Sequence, residues 1–120
     1  MKVLVTGGSG LLATHIIAEL IRQKVSVRCT IRDKNKFRLQ QKEEVELLEG
    51  DISDSEFLNR ACDGCDFVIH AAAQTPGIVN DEKVFHAVNV TGTSNLLRAS
   101  VKQNVKRLIY VSTANTVGYG

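Results

Sequence analysis

Lys2-Val3-Leu4-Val5-Thr6-Gly7-Gly8-Ser9-Gly10-Leu11-Leu12-Ala13 is the stretch that decides the fold. A short apolar, β-branched run passes directly into small residues, and these open a segment whose apolar side chains recur at helical spacing. The pattern is strand, tight turn, helix, at the head of a domain. Small residues let the backbone turn sharply and come close to a ligand. The helix that follows offers unpaired N–H groups and the positive end of its dipole to an anion. Two spacings fit, Gly8-x-Gly10-x-x-Ala13 and Gly7-x-x-Gly10-x-x-Ala13 with Thr6 in front. Both share Gly10 and Ala13, and both suit the pyrophosphate of a dinucleotide. A plain structural turn has the same composition, so the flanking strand and helix carry the distinction.

Working outward, the chain alternates strand and helix. Strands are expected at 2–6, 25–31, 45–50, 66–70 and 106–112, most of them short apolar runs suited to a parallel sheet covered on both faces. Helices are expected at 10–23, 53–62 and 81–103, with a short one at 34–42. Leu12, Ile16, Ile17, Leu20 and Ile21 form the packing stripe of the first helix. Ser53-Asp54-Ser55-Glu56 has the capping-box form and starts the second, which buries Phe57, Leu58, Ala61 and Cys62. Phe85, Val88, Gly92, Leu96 and Ala99 line one side of the last. Right-handed crossovers with one reversal predict an α/β doubly wound parallel sheet of order 3-2-1-4-5, with helices on both faces. The ligand crevice then lies beyond the carboxyl ends of strands 1 and 4, at Gly7–Leu12 and His70–Thr75. Ala71-Ala72-Ala73 supplies a second set of small residues there.

With 120 residues there is room for one domain and one core. No apolar run approaches the ~18–20 residues of a membrane span, so no membrane partner is expected. Lys2 leads at once into the first strand, and no signal peptide is expected. The three Cys then read as free thiols in a reducing, cytoplasmic setting. The net charge of +2 conceals a segregation. Residues 22–42 are basic apart from Asp33, and 43–56 carry only acids. A solvated surface accounts for most of this, an anion site for part of the basic run. Nucleic acid is not expected as a partner, because no reading motif or aromatic content accompanies the charge.

Individual residues sharpen the crevice. Arg32 stands at the tip of the second strand, where the adenosine ribose of a dinucleotide would lie. An Arg there holds the 2′-phosphate of NADP, and an acid there selects NAD. Arg32 comes first and Asp33 next, which tilts the choice toward NADP and leaves NAD as the alternative. Asp51 closes the third strand and can accept from an adenine amine with Ile52 against the ring, or can help start the next helix. Cys62-Asp63-Gly64-Cys65 is C-x-x-C, but it ends a helix where a redox pair would start one, and no further ligands complete a zinc site. Packing is its expected role, and no metal is expected. His15 faces away from the apolar stripe, His86 has no nameable partner, and His70 reads as a buried, hydrogen-bonded residue. Ser112 and Thr113 end the fifth strand at the crevice mouth, where a hydroxyl could meet a substrate oxygen or simply close a turn.

Jointly these segments resemble the extended branch of the short-chain dehydrogenase/reductase superfamily. The matches are Val5–Ala13, Gly50-Asp51-Ile52, His70-Ala71-Ala72-Ala73, Val88-Asn89-Val90-Thr91-Gly92-Thr93 and Tyr110-Val111-Ser112-Thr113-Ala114, in the family's order. The resemblance implies a Rossmann-type dinucleotide-binding domain over 1–120, the N-terminal part of a longer enzyme whose later strands and substrate domain lie elsewhere. It implies that Gly7, Gly10, Leu11 and Leu12 bind the pyrophosphate, that Asp51 and Ile52 meet the adenine, and that Ala71 and Ala73 line the path of the nicotinamide ribose. It implies that Asn89 supports the active site and that Thr113, or Ser112 in its place, is the catalytic hydroxyl. Val27–Asp33 is similar to the NADP-using dihydroflavonol reductase and hydroxysteroid dehydrogenase side of the branch. The family's Tyr-x-x-x-Lys is not in these residues: Ala114 stands at the Lys position after Tyr110, and Tyr119 has no such successor.

The function so implied is hydride transfer between NADP(H) and a carbonyl or alcohol of a small-molecule substrate, with residues 1–120 inactive alone. An NAD-dependent nucleotide-sugar epimerase or dehydratase is the first alternative, and a non-enzymatic NAD(P)-binding sensor the second. Association into a homo-oligomer is compatible with this reading. Strand 5 is expected to be an unprotected sheet edge.

Overall fold

The computed structural model describes residues 1–8, 10–37, 39, 44–71 and 91–111. Five parallel strands, β1 (Lys2–Thr6), β2 (Ser26–Ile31), β3 (Val45–Glu49), β4 (Phe67–His70) and β5 (Arg107–Tyr110), form one sheet in the order β3-β2-β1-β4-β5. β1 is central, pairing Val5 with Cys29 on one side and with Ile69 on the other. Among the described residues the helices are α1 (Leu11–Arg22), α2 (Ser55–Cys62) and α3 (Gly92–Lys102). The expected sheet order is the observed one.

Alternation along β1 builds two cores. Val3 and Val5 face α1 and pack with Ala13, Ile17, Val27, Cys29 and Ile31. Leu4 faces the other way, into a cluster with Phe57, Leu58 and Ala61 of α2 and Leu96 and Ala99 of α3. Burying Ile17 or Leu58 completely, as here, stabilises the fold by roughly 1.5–3 kcal/mol each. Phe57, Leu58, Ala61 and Cys62 are all buried, the face expected for α2. Of the stripe read for the last helix, Gly92, Leu96 and Ala99 are buried, whereas Phe85 and Val88 lie outside the described residues.

Three local expectations are corrected. Leu12 does not join the packing stripe of α1. It is 44% exposed and Ala13 takes its place, because the first turn of α1 projects past the strand ends. α2 is capped by Asp54, not Ser53: the Asp54 carboxylate accepts from the N–H groups of Glu56 and Phe57, at 3.1 and 3.3 Å. Where a helix is expected at 34–42, the described residues form a 3-10 turn, Lys34–Lys36, ended by Phe37 in extended conformation. Phe37 is buried and anchors that turn to the α1-side core.

At the opposite end of the sheet from the crevice, the Arg28 side chain reaches beneath α2. Its guanidinium donates to the carbonyls of Ala61 (2.7 Å) and Asp63 (2.6 Å), and its Nε donates to Glu46 at 3.0 Å. Glu46 also accepts from Lys2 Nζ at 3.1 Å. A cation thus closes the carbonyl end of α2, where the helix dipole favours one. β5 pairs with β4 and leaves Ile109 and Tyr110 44% and 51% exposed. No described helix is long and apolar enough to cross a membrane.

Candidate dinucleotide site

The glycine turn is built from three glycines with three different reasons. Gly7 has φ +82°, a conformation that costs a residue with a Cβ. Gly8 donates its N–H to Thr30 O at 3.0 Å, pressing the turn onto β2, and a Cβ on Gly8 would overlap the Cys29 sulfur. Gly10 donates to Gly7 O at 2.9 Å and occupies the N-cap of α1, with no side chain to close the helix. The first intrahelical bond runs from Thr14 N to Gly10 O. Among the described residues the N–H groups of Leu11 and Leu12 therefore have no partner, and no acid stands in the first turn. α2 differs: Asp54 supplies it with its own negative charge. α1 is open to an anion from outside, which is what the pyrophosphate of a dinucleotide brings.

The tips of β2 and β3 stand beside the glycine turn. Arg32 is exposed and makes no ion pair within 4.0 Å among the described residues. Its neighbour Asp33 is engaged, capping the 3-10 turn by accepting from Asn35 N at 3.0 Å. Glu49 accepts from Lys34 N at 3.0 Å and holds the same turn. Asp51 accepts from Ser53 N at 2.9 Å, and this bond first, with the positive charge of Arg32 adding to it, holds the Asp51 carboxyl below its ordinary range. Ile52 is buried in the α2-side core, so its side chain serves packing. Asn95 of α3 donates to Ser53 O at 2.9 Å and clips this loop down. Gly50 is required by its neighbour: a Cβ there would lie 2.6 Å from the Phe57 ring.

The second wall starts where β4 ends. Thr6 Oγ1 accepts from Ala71 N at 3.0 Å and lies 2.7 Å from His70 Nδ1. His70 Nε2 lies 3.0 Å from Thr93 Oγ1 on the first turn of α3. His70 is 1% exposed, and burial pushes its pKa down to about 4, so the ring is neutral near pH 7. Ala73, Asn89, Ser112 and Thr113 lie outside the described residues.

Gly7, Gly10, Leu11, Leu12 and Ala71 are thus gathered at the carboxyl ends of β1 and β4, with Arg32 and Asp51 at the neighbouring strand tips. Reading the sequence did not find Asn95 or Thr93; the one signal was a polar residue on the buried side of a helix. Cys62 and Cys65 are buried free thiols, raised in pKa by burial, Cys62 to about 11, in keeping with packing. Among the described residues no group of three or more His, Cys, Asp or Glu is placed to hold a metal ion.

A family model described as the NAD dependent epimerase/dehydratase family matches residues 3–120. A 4-hydroxy-2-methyl-3-oxo-4-farnesyl-3,4-dihydroquinoline-1-oxide ketoreductase from Stigmatella aurantiaca is 32% identical over 120 residues, which is 100% of this chain and 36% of that protein. Among solved structures, UDP-glucose 4-epimerase from Bifidobacterium longum in complex with NAD+ and UDP superposes with a TM-score of 0.83 at 30% identity, over 98% of this chain and 38% of that one. UDP-glucose 4-epimerase from Thermus thermophilus in complex with NAD gives 0.79 at 28% identity, over 94% and 38%. The chain spans little more than a third of the length of these relatives.

Proposed function

The chain belongs to the NAD dependent epimerase/dehydratase family, and from that premise we propose that it is the cofactor-binding part of an oxidoreductase that moves hydride between NADP(H) and a carbonyl or alcohol substrate. The observation that carries the NADP preference is the contrast at the tip of β2. Arg32 is exposed and without an ion pair among the described residues, while the Asp33 carboxylate is held on Asn35 N. A 2′-phosphate would find an unengaged guanidinium there, whereas the Asp33 carboxylate is already turned to Asn35 N through Oδ1.

The bound nicotinamide supplies hydride. The residues described here bind and orient: the open first turn of α1 holds pyrophosphate, Asp51 stands at the adenine, and Ala71 leaves room along the second wall. Thr113 would donate to the substrate oxygen, with Ser112 as its substitute and Asn89 in support. The Tyr-x-x-x-Lys of the family would come from residues after Gly120. Titration of full-length protein with each cofactor tests the preference. Arg32→Ala should weaken NADPH binding about ten- to a hundredfold, the loss of one charge-assisted contact, and leave NADH nearly unchanged. Equal losses for both cofactors would refute it.

An NAD-dependent epimerase or dehydratase is the second reading. The observation favouring it is that the two epimerases above were solved with NAD or NAD+. Retention of NAD by the purified full-length protein would decide for it.

A further inference from the structure

One polar row crosses the sheet just below the crevice. Register places Thr30, Thr6, His70 and Tyr110 side by side on β2, β1, β4 and β5. The proton positions in this row follow from counting. Thr6 Oγ1 accepts from Ala71 N, and its one proton has a single acceptor among the described residues, His70 Nδ1 at 2.7 Å. Nδ1 is then bare. A neutral imidazole carries its proton on the other nitrogen, so Nε2–H donates to Thr93 Oγ1 at 3.0 Å. Tyr110 covers the ring, its centroid 5.5 Å from that of His70.

We propose that His70, held as the Nε2–H tautomer between Thr6 and Thr93, is a positioning residue that fixes the second wall of the crevice to the glycine turn and to α3. Thr6 is the last residue before Gly7, and Ala71 is the first of the opposite wall. The imidazole takes the Thr6 proton and so leaves a Thr6 lone pair facing Ala71 N. Without an acceptor at Thr93, the buried Nε2–H is unsatisfied and the ring loses the contact that holds Nδ1 on Thr6. As the ring turns, the Thr6 proton loses its acceptor, Thr6 Oγ1 is no longer fixed, and the bond to Ala71 weakens. A change on α3 thus reaches the crevice without touching it. The inference rests on the reading of the crevice as a dinucleotide site.

The test uses full-length protein with Thr93→Val, which keeps shape and removes the acceptor, and Thr93→Ser, which restores it. Thr93→Ala carries the same expectation as Thr93→Val and covers the case in which valine does not fold. Long-range imidazole nitrogen spectra report the His70 tautomer, hydrogen exchange reports Ala71 N–H, and fluorescence titration reports NADPH affinity. Thr93→Val should move the His70 Nδ1 resonance away from that of a hydrogen-bonded acceptor, speed exchange at Ala71 and weaken NADPH about fivefold, the scale of one neutral hydrogen bond. Thr93→Ser should match the parent in all three. A parent carrying Nδ1–H, a parental Nδ1 resonance in Thr93→Val, or a shifted one with parental NADPH affinity, overturns the inference alone. A parent protein that binds neither NADPH nor NADH overturns the dinucleotide reading and this inference with it.

Discussion

Replacing Gly8 by Ala should damage this protein for one reason only, and a second substitution should undo the damage. Gly8 does not have the positive φ that reserves Gly7 for glycine. What forbids a methyl group is the Cys29 sulfur, which lies inside contact distance of a Cβ on Gly8, while the next nearest atom, Thr30 O, stands at an ordinary 3.4 Å. Cys29 is 0% exposed in the centre of the α1-side core and cannot swing away. Overpacking of this kind costs about 1–3 kcal/mol. Cys29→Ala alone removes one heavy atom and leaves a small void, at about 1 kcal/mol. In the double variant the new methyl occupies part of the space the sulfur left. The two changes should therefore couple favourably by about 1–2 kcal/mol, and the double variant should be more stable than Gly8→Ala alone. Denaturant unfolding of the four full-length proteins gives the cycle. NADPH titration gives a second readout, since the Gly8 N–H to Thr30 O bond holds the turn in place. Additive losses, with no coupling, would show that Gly8 is glycine for some reason other than Cys29.

Two further outcomes follow from the neutral imidazole of His70 and the guanidinium of Arg28. His70 stays neutral down to about pH 4 in the folded state and titrates near 6.5 when unfolded. The unfolded chain therefore binds more protons in that window, and stability should be complete above pH 6.5 and fall as pH drops toward 4, by on the order of 3 kcal/mol at the lower end. A His70→Gln protein whose stability falls equally steeply over that window would refute the assignment. Arg28→Ala should lower stability by about 2–4 kcal/mol, because it strips the carbonyl end of α2 and leaves Glu46 with Lys2 alone. Arg28→Lys should recover less than half, since an ammonium cannot fork between helix carbonyls and a carboxylate; full recovery in urea unfolding would contradict this.

The sheet order was legible because most strands are short apolar runs alternating with helical spacing, and the glycine turn marked the first of them. What failed was local competition. Ser53-Asp54-Ser55-Glu56 offers two overlapping caps, and the spacing of Ser53 and Glu56 points to the wrong one. Ser53 is held by the Asp51 carboxylate, which leaves Asp54 to reach Glu56 and Phe57. Leu12 fits the helical stripe by spacing, yet spacing does not say where a helix outruns the sheet beneath it. Among the described residues of the basic run, Phe37 is the buried side chain, and it stands in extended conformation after the 3-10 turn. At the site, Gly7, Gly10, Arg32 and Asp51 were visible because each follows closely on a strand, and a parallel sheet gathers such positions at one end. Asn95 and Thr93 were not, because their partners are Ser53 and His70, distant in sequence and brought near only by the packing of α3.

The contrast between the two helix starts has a consequence for how such a chain ages under mutation. α2 finishes itself with Asp54. α1 has no side-chain cap at Gly10, and on the proposed reading the missing piece is a ligand. A Ser or Asp at position 10 would complete α1 from within and make the empty protein slightly sturdier, by about a few tenths of a kcal/mol, the usual gap between such caps and glycine. The same side chain would occupy the place of a phosphate. Selection for durability and selection for cofactor therefore pull on Gly10 in opposite directions, and a descendant that no longer needed the cofactor would be free to close its first helix.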